Sequence, residues 1–180
     1  GSPGAGKSTI AEALVARLDS AVVLPMDGYH LPQARLVELG RRDRMGAPDT
    51  FDVDGFLATL SALRAVDNSG NPVLAPGFDR GIEEPVPDAI RILQELSTVV
   101  VEGNYLLLES GGWGRVAPLL DATVFVRVDR GVRLDRLMER HERFGKSPAD
   151  ARAWALGPDE RNAQLIEATA TRADRVVELP

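Results

Sequence analysis

The chain opens on Gly1-Ser2-Pro3-Gly4-Ala5-Gly6-Lys7-Ser8-Thr9, which fits the pattern G-x-x-x-x-G-K-[ST]. These residue types at this spacing suit the capture of a polyphosphate. Glycines let successive backbone N–H groups turn inward and approach phosphate oxygens closely. A helix that follows adds its positive N-terminus. The pattern predicts that Gly4, Ala5, Gly6, Lys7, Ser8 and Thr9 hold ATP. The Lys7 ammonium would reach the β- and γ-phosphates, and the Ser8 hydroxyl would ligate Mg²⁺.

Two acids sit where such a loop would need them. Open parallel sheets bind ligands beyond the carboxyl ends of their strands. Asp27 follows the apolar run Ala21–Pro25 and precedes Gly28-Tyr29-His30. A carboxylate there can accept the proton of an attacking hydroxyl, although a turn-forming cap would use the same residue. Glu102 closes the β-branched run Val99-Val100-Val101 and precedes Gly103-Asn104-Tyr105. An acid at the tip of a buried strand is costly unless it faces solvent or a cation, so Glu102 is the second candidate Mg²⁺ contact. A plain strand terminus is its alternative.

The remaining candidates are less specific. Arg133, Arg136, Arg140 and Arg143 are spaced three, four and three apart, which places them on one helix face. Such a row could close over a triphosphate, with Arg140 stabilising the transferring group and Arg136 and Arg143 beside it. It could equally be a solvated face paired with Asp135, Glu139 and Glu142. Phe78-Asp79-Arg80 could line the acceptor pocket or form a surface turn. Two isolated histidines, His30 and His141, make no metal site; both suit polar surface positions, while His30 also lies close enough to Asp27 to touch substrate. Trp113 and Trp154 suit core or lid packing.

The elements that must position these groups read as alternating strands and helices. Residues 7–18 predict a helix with Ile10, Leu14 and Leu18 on one face, and Ala21–Pro25 a strand. Helices are expected over Gln33–Arg44, over Val53–Arg64 with Asp52 as N-cap, and over Val132–Arg143. A capping box at Ser147-Pro148-Ala149-Asp150 opens the next helix, and Pro158–Arg172 is the last. Strands are expected at Thr98–Glu102, Ala122–Val128 and Arg175–Leu179. Residues 68–87 read as a turn-rich stretch with a short strand near Val73–Ala75, and 88–96 fits either strand or helix. The alternation predicts an α/β fold, a parallel sheet flanked by helices. The strand that should feed the phosphate loop is missing ahead of Gly1, and its absence would leave strand edges exposed.

Composition sets the outer limits. One domain is expected from 180 residues, with 44% hydrophobic and 27% charged. No apolar run reaches the roughly 20 residues a membrane span requires, and the N-terminus does not look like a signal peptide. The absence of cysteine suits a reducing compartment, so the cytoplasm is expected. A net charge of −6 and few aromatics argue against nucleic acid as a partner. Only Lys7 and Lys146 are lysines among 21 basic residues, a skew that fits a GC-rich genome.

In this order, the motifs resemble the uridine kinase, pantothenate kinase and phosphoribulokinase superfamily of P-loop NTPase fold, over nearly the whole chain. Met26-Asp27-Gly28-Tyr29 resembles the family's strand-end aspartate and following aromatic, which implies Asp27 as catalytic base beside Tyr29 and His30. Gly46-Ala47-Pro48-Asp49-Thr50-Phe51-Asp52 is similar to a G-x-P-[DE]-x-[YF]-D run of bacterial pantothenate kinases, which implies Asp49 and Phe51 near substrate. Val100-Val101-Glu102-Gly103-Asn104-Tyr105 resembles the strand-E-G signature, adding Asn104 and Tyr105. The arginine row falls in the region of the family's mobile lid, here 131–157, and Asn162 in the segment near the adenine. The resemblance thus implies an ATP- and Mg²⁺-dependent transfer to a hydroxyl of a nucleoside, pantothenate-like or sugar acceptor. A nucleotide-dependent regulatory ATPase without such an acceptor is the alternative. Where pantothenate kinases carry a Y-S-H-x-x-Y-D-like acceptor segment, this chain has Ala75-Pro76-Gly77-Phe78-Asp79-Arg80, so the acceptor does not carry over. The chain is most similar to a branch described as nucleoside/nucleotide or sugar-transport-associated kinases. A homodimer stays open.

Overall fold

In the computed structural model the described residues are 1–65, 70–93 and 95–180. Residues 68 and 69 of the predicted turn-rich stretch, and residue 94 of the ambiguous segment, lie outside them. Helix α1 spans Lys7–Val15 and leads into strand β1, Ala21–Pro25. A short helix α2, Gln33–Glu38, and the longer α3, Val53–Arg64, follow. Next come β2, Val73–Asp79, β3, Glu84–Ile92, and β4, Thr98–Glu102. The last part of the chain forms β5, Val124–Val128, helices α4, Arg130–Arg143, α5, Pro148–Leu156, and α6, Pro158–Glu167, and β6, Arg175–Leu179.

The fold is α/β, with parallel strands flanked by helices. Strand β1 pairs with β4 in parallel, with Pro25 opposite Glu102, and β5 pairs with β6. The predicted single sheet is therefore two parallel pairs. Between the facing edges of β4 and β5 runs a groove of about 700 Å³, lined by Thr98–Glu102 and Val124–Val126 and reaching Gly1.

The turn-rich stretch and the ambiguous segment are instead one antiparallel hairpin, β2 with β3. Its strand signal is masked by Pro76, Pro85 and Pro87, which donate no ladder hydrogen bond, and by a register shift between Ala75 and Gly77. Asp79 holds the turn by accepting from the Gly81 amide at 2.7 Å.

Three helix ends also differ from the sequence reading. Helix α1 stops at Val15, and Leu14 and Leu18 are exposed rather than part of the core. Helix α2 stops at Glu38 because Gly40 adopts φ 63°; the Gly40 amide then donates to Val37 O and the Arg41 amide to Leu36 O, a Schellman ending. Helix α6 stops at Glu167, and Ala170–Arg172 form a separate 3₁₀ turn.

The core lies between β1/β4 and α3. Leu24, Met26, Phe56, Tyr105, Trp113 and Phe125 are almost fully buried there. Burying an apolar side chain of this size contributes roughly 1.5–3 kcal/mol. Helix α3 presents Phe56, Leu57 and Leu60 inward from a start capped by Asp52, whose Oδ1 accepts the Gly55 amide at 2.9 Å. A smaller cluster, Leu134, Leu137 and Ala155, joins α4 to α5. No helix among the described residues is long and apolar enough to cross a membrane.

Candidate active site

The phosphate loop takes its shape from two left-handed glycines, Gly4 at φ 79° and Gly6 at φ 86°. A Cβ on Gly4 would lie 2.8 Å from the Arg133 carbonyl oxygen and 2.9 Å from Leu137. Helix α4 therefore packs directly on the loop, and only glycine fits the contact. Lys7 folds back, its ammonium donating to Ser2 O at 3.0 Å. Ser2 is buried and donates to Glu167 Oε1 at 3.1 Å. Arg136 lies over Gly6, one guanidinium nitrogen 3.7 Å from where a Cβ would be.

The parallel register of β1 and β4 brings their carboxyl ends side by side. Glu102 accepts from the Ser8 hydroxyl at 3.0 Å. Burial pushes the Glu102 carboxyl up, as does the charge of Asp27, while Lys7 and the Ser8 hydrogen bond oppose the rise. Burial lowers the Lys7 ammonium, and the carboxylates of Glu102 and Asp27 pull it the other way. These opposed effects belong to one electrostatic cluster, so the loop and the two strand-end acids share a site.

Asp27 sits in the turn after β1, where Arg80 Nη2 donates to its Oδ2 at 2.7 Å. Burial would raise its pKa, but the charges of His30, Arg80 and Lys7 outweigh that and hold the carboxyl below the usual range. His30 is buried between rings, 4.0 Å from the Phe51 centroid and 4.7 Å from that of Phe78. Its Nδ1 lies 2.9 Å from the Asp27 carbonyl oxygen. A carbonyl only accepts, so Nδ1 carries the hydrogen. Burial lowers its pKa, while the Asp27 carboxylate and the hydrogen bond to the Asp27 carbonyl pull it up. The surface position open to His30 on sequence grounds is thus corrected: its aromatic neighbours exclude water.

One pocket of about 140 Å³ gathers these groups. Of the residues singled out from the sequence, Lys7, Ser8, Asp27, His30, Phe51, Phe78, Arg80, Glu102, Asn104, Arg140 and Asn162 line it. Asn162 Nδ2 donates to Gly46 O at 3.2 Å. Four predicted substrate residues do not line the pocket, because framework contacts occupy their polar groups. Tyr29 donates to Thr59 Oγ1 at 2.7 Å, and Tyr105 donates to Gly46 O at 2.5 Å. Asp49 pairs with Arg41 and Arg44, and Asp79 closes the hairpin turn. Arg143 is exposed at the end of α4, and Thr9 is exposed on α1.

Sequence reasoning missed several residues of the pocket wall. His141 lines it, Nε2 2.7 Å from Asp159 Oδ2, so this histidine is not a surface group either. Lys146 rests on Trp154, 4.8 Å from a ring centroid, and 3.9 Å from Glu83 Oε1. The scarcity of lysine was the one signal that could have marked Lys146.

The Ser8 and Glu102 oxygens converge, and among the described residues no group of three His, Cys, Asp or Glu side chains forms a cage. That suits a cation bound through one carboxylate, one hydroxyl and substrate phosphates.

A glycine-turned phosphate loop that opens a helix and faces two strand-end carboxylates defines a P-loop kinase. No protein-family model matches the chain. Over 148 residues it is 40% identical to the ATP-dependent kinase-like protein notR' of Aspergillus versicolor, spanning 78% of this chain and 86% of that protein. It is 31% identical over 183 residues to the uncharacterized protein YggC of Escherichia coli, spanning 98% of this chain and 74% of that one. The solved structure of a proposed fructose transport system kinase from Silicibacter sp. TM1040 superposes with a TM-score of 0.84. It is 34% identical and spans 98% of this chain and 85% of that chain. The chain belongs to the P-loop kinase superfamily, and its relatives include ATP-dependent kinases.

Proposed function

We propose that this protein transfers the γ-phosphoryl group of ATP to a hydroxyl of a small metabolite. The observation that carries this reading is the convergence of Asp27 with Lys7, Ser8 and Glu102 on one small pocket. The loop amides and Lys7 hold the β- and γ-phosphates, and α4 lays Arg136 over the loop and Arg140 into the pocket. Ser8 and Glu102 would hold Mg²⁺, which supplies charge neutralisation to the phosphates when bound. The acceptor oxygen forms a bond to the γ-phosphorus, the bond to the β–γ bridging oxygen breaks, and ADP leaves with the electron pair. Asp27 takes the hydroxyl proton. Phosphoryl transfer asks mainly for positioning and electrostatics, and these residues supply both.

Helices α4 and α5 act as the lid in this scheme. The aromatic wall formed by Phe51, Phe78 and Trp154 favours an organic acceptor over water, and hence a kinase over an acceptor-free switch. The test is Asp27→Asn. It should leave Mg·ATP affinity nearly unchanged and lower acceptor-dependent turnover by on the order of 10²-fold or more. Undiminished turnover would remove Asp27 from its role.

A further inference from the structure

Four cations line the pocket: Lys7, Arg80, Arg140 and Lys146. Lys7 belongs to the phosphate loop, and Arg140 lies on the lid helix. Burial lowers the Arg140 guanidinium, with the charges of Asp159 and Asp27 opposing. The other two come from the acceptor side. Arg80 follows β2 in the hairpin turn, and Lys146 lies in the turn between α4 and α5. The Arg80 side chain is 41% exposed and that of Lys146 23%, so both stay within reach of a ligand entering the pocket.

Each of these two cations is held by a carboxylate with another commitment. Arg80 donates to Asp27 at 2.7 Å, yet Asp27 must meet the acceptor hydroxyl in the reaction proposed above. Lys146 is 3.9 Å from Glu83, too far for a hydrogen bond, and Glu83 already accepts from Arg42 at 2.6 Å. Glu83 and Arg80 belong to the same turn, and Glu83 is fixed there in a left-handed conformation, with Gln33 donating to its carbonyl at 2.8 Å. Lys146 is poised by the Trp154 ring rather than neutralised by it. Two cations with borrowed or distant partners therefore flank one stretch of wall next to the base.

We infer, resting on the phosphotransferase reading, that the acceptor carries a phosphate or carboxylate group that takes Arg80 from Asp27 and pairs with Arg80 and Lys146. The anion is bound without chemical change, while the freed Asp27 receives the proton of the attacking hydroxyl. It is both handle and key: without it, Arg80 stays on the base. A neutral alcohol or a water molecule offers Arg80 nothing in exchange for Asp27, so hydrolysis of ATP is suppressed in the empty acceptor site.

Two measurements on the full chain test this. The first is ATP turnover with matched acceptors that differ only in the charged group: glycerate against glycerol, a hexose phosphate against the hexose, pantothenate against panthenol. The second is calorimetric titration of inorganic phosphate, and separately of acetate, into the ADP-loaded protein; the stronger binder tells which anion the site is built for. The charged member of a pair should be turned over and the neutral one not. Arg80→Gln and Lys146→Gln should each raise the acceptor KM, and weaken anion binding, by roughly 10-fold or more. Lys146→Arg should recover most of the loss, and Arg80→Gln should raise acceptor-free ATP hydrolysis. Equal turnover of a neutral partner, or anion binding unchanged in both glutamine variants, overturns the inference. Loss of anion binding in both variants, with no acceptor phosphorylated, would support the anion subsite and overturn the kinase reading instead.

Discussion

Gly28, directly after the proposed base, sets how closely the β2–β3 hairpin approaches Asp27. A methyl group at this position would lie 2.1 Å from the Pro76 carbonyl oxygen, 2.7 Å from its carbonyl carbon and 3.3 Å from Gly77 Cα. All three are backbone atoms, so no side-chain rotation relieves the contact. In Gly28→Ala the hairpin must withdraw by roughly 1 Å to restore ordinary van der Waals separation. Overpacking of this kind costs about 1–3 kcal/mol, which for a domain of this size corresponds to a Tm lower by about 2–12 °C. Arg80 and Phe78 would move with the hairpin, loosening the 2.7 Å Arg80–Asp27 pair and the ring contact with His30. A displacement of 1 Å in a positioned site costs on the order of 10²-fold in rate. The assay is acceptor-dependent ADP formation beside thermal unfolding. Mg·ATP affinity should hold, because the phosphate loop does not touch this contact. A folded Gly28→Ala protein with full turnover would refute the claim that the hairpin–base distance governs transfer.

Three further outcomes are expected. Lys7→Ala should abolish ATP-dependent phosphorylation, read as loss of ADP formation at saturating acceptor. Glu160→Ala leaves Arg133, whose side chain is 6% exposed, without its carboxylate and should destabilise the fold by about 3–5 kcal/mol in denaturant unfolding; Arg133→Met combined with Glu160→Leu should recover most of that. Asp27 must be ionised to accept a proton, and its pKa is held below the usual carboxylate range. The acceptor kcat/KM at saturating Mg·ATP, which reports the state with Arg80 still on Asp27, should therefore be sustained through ordinary carboxylate pKa values and fall only as pH drops through that lower value. Arg80→Ala removes one of the charges holding it down and should move the acid limb of the pH–rate profile upward.

The phosphate side of the site was legible because its chemistry is local. Glycine spacing, the lysine and the hydroxyl occupy eight consecutive residues, and each strand-end acid follows an apolar run whose pairing the sheet register then fixes. The opposite wall of the pocket was only partly legible, for the opposite reason. It is assembled from the hairpin turn, the α4–α5 turn and the start of α6, and no local pattern marks Glu83, Lys146 and Asp159 as neighbours. The prolines that hide β2 and β3 from a strand reading also hid the element that delivers Arg80. Tyr29 and Tyr105 were misplaced because a motif gives residue type and position but not the direction of a side chain: both phenols turn away to brace the framework.

The row of arginines on α4 shows how partners sort residues that sequence spacing makes equivalent. Asp159 and Glu160 stand together in the first turn of α6. Glu160 takes Arg130 at 2.8 Å and also Arg133, while Asp159 takes His141 at 2.7 Å. Two adjacent acids thus pin α4 near both of its ends. The pinned helix presses the Arg133 carbonyl and Leu137 against Gly4, so the loop's shape and the position of α4 depend on each other. Of the four arginines, Arg133 is consumed by this anchoring and Arg143 points to solvent. Arg136 and Arg140 are left, one over the loop and one in the pocket, with no carboxylate holding either within salt-bridge distance among the described residues. In the proposed reaction a triphosphate at Lys7 would meet these two, since the α6 carboxylates pair with Arg130, Arg133 and His141 instead.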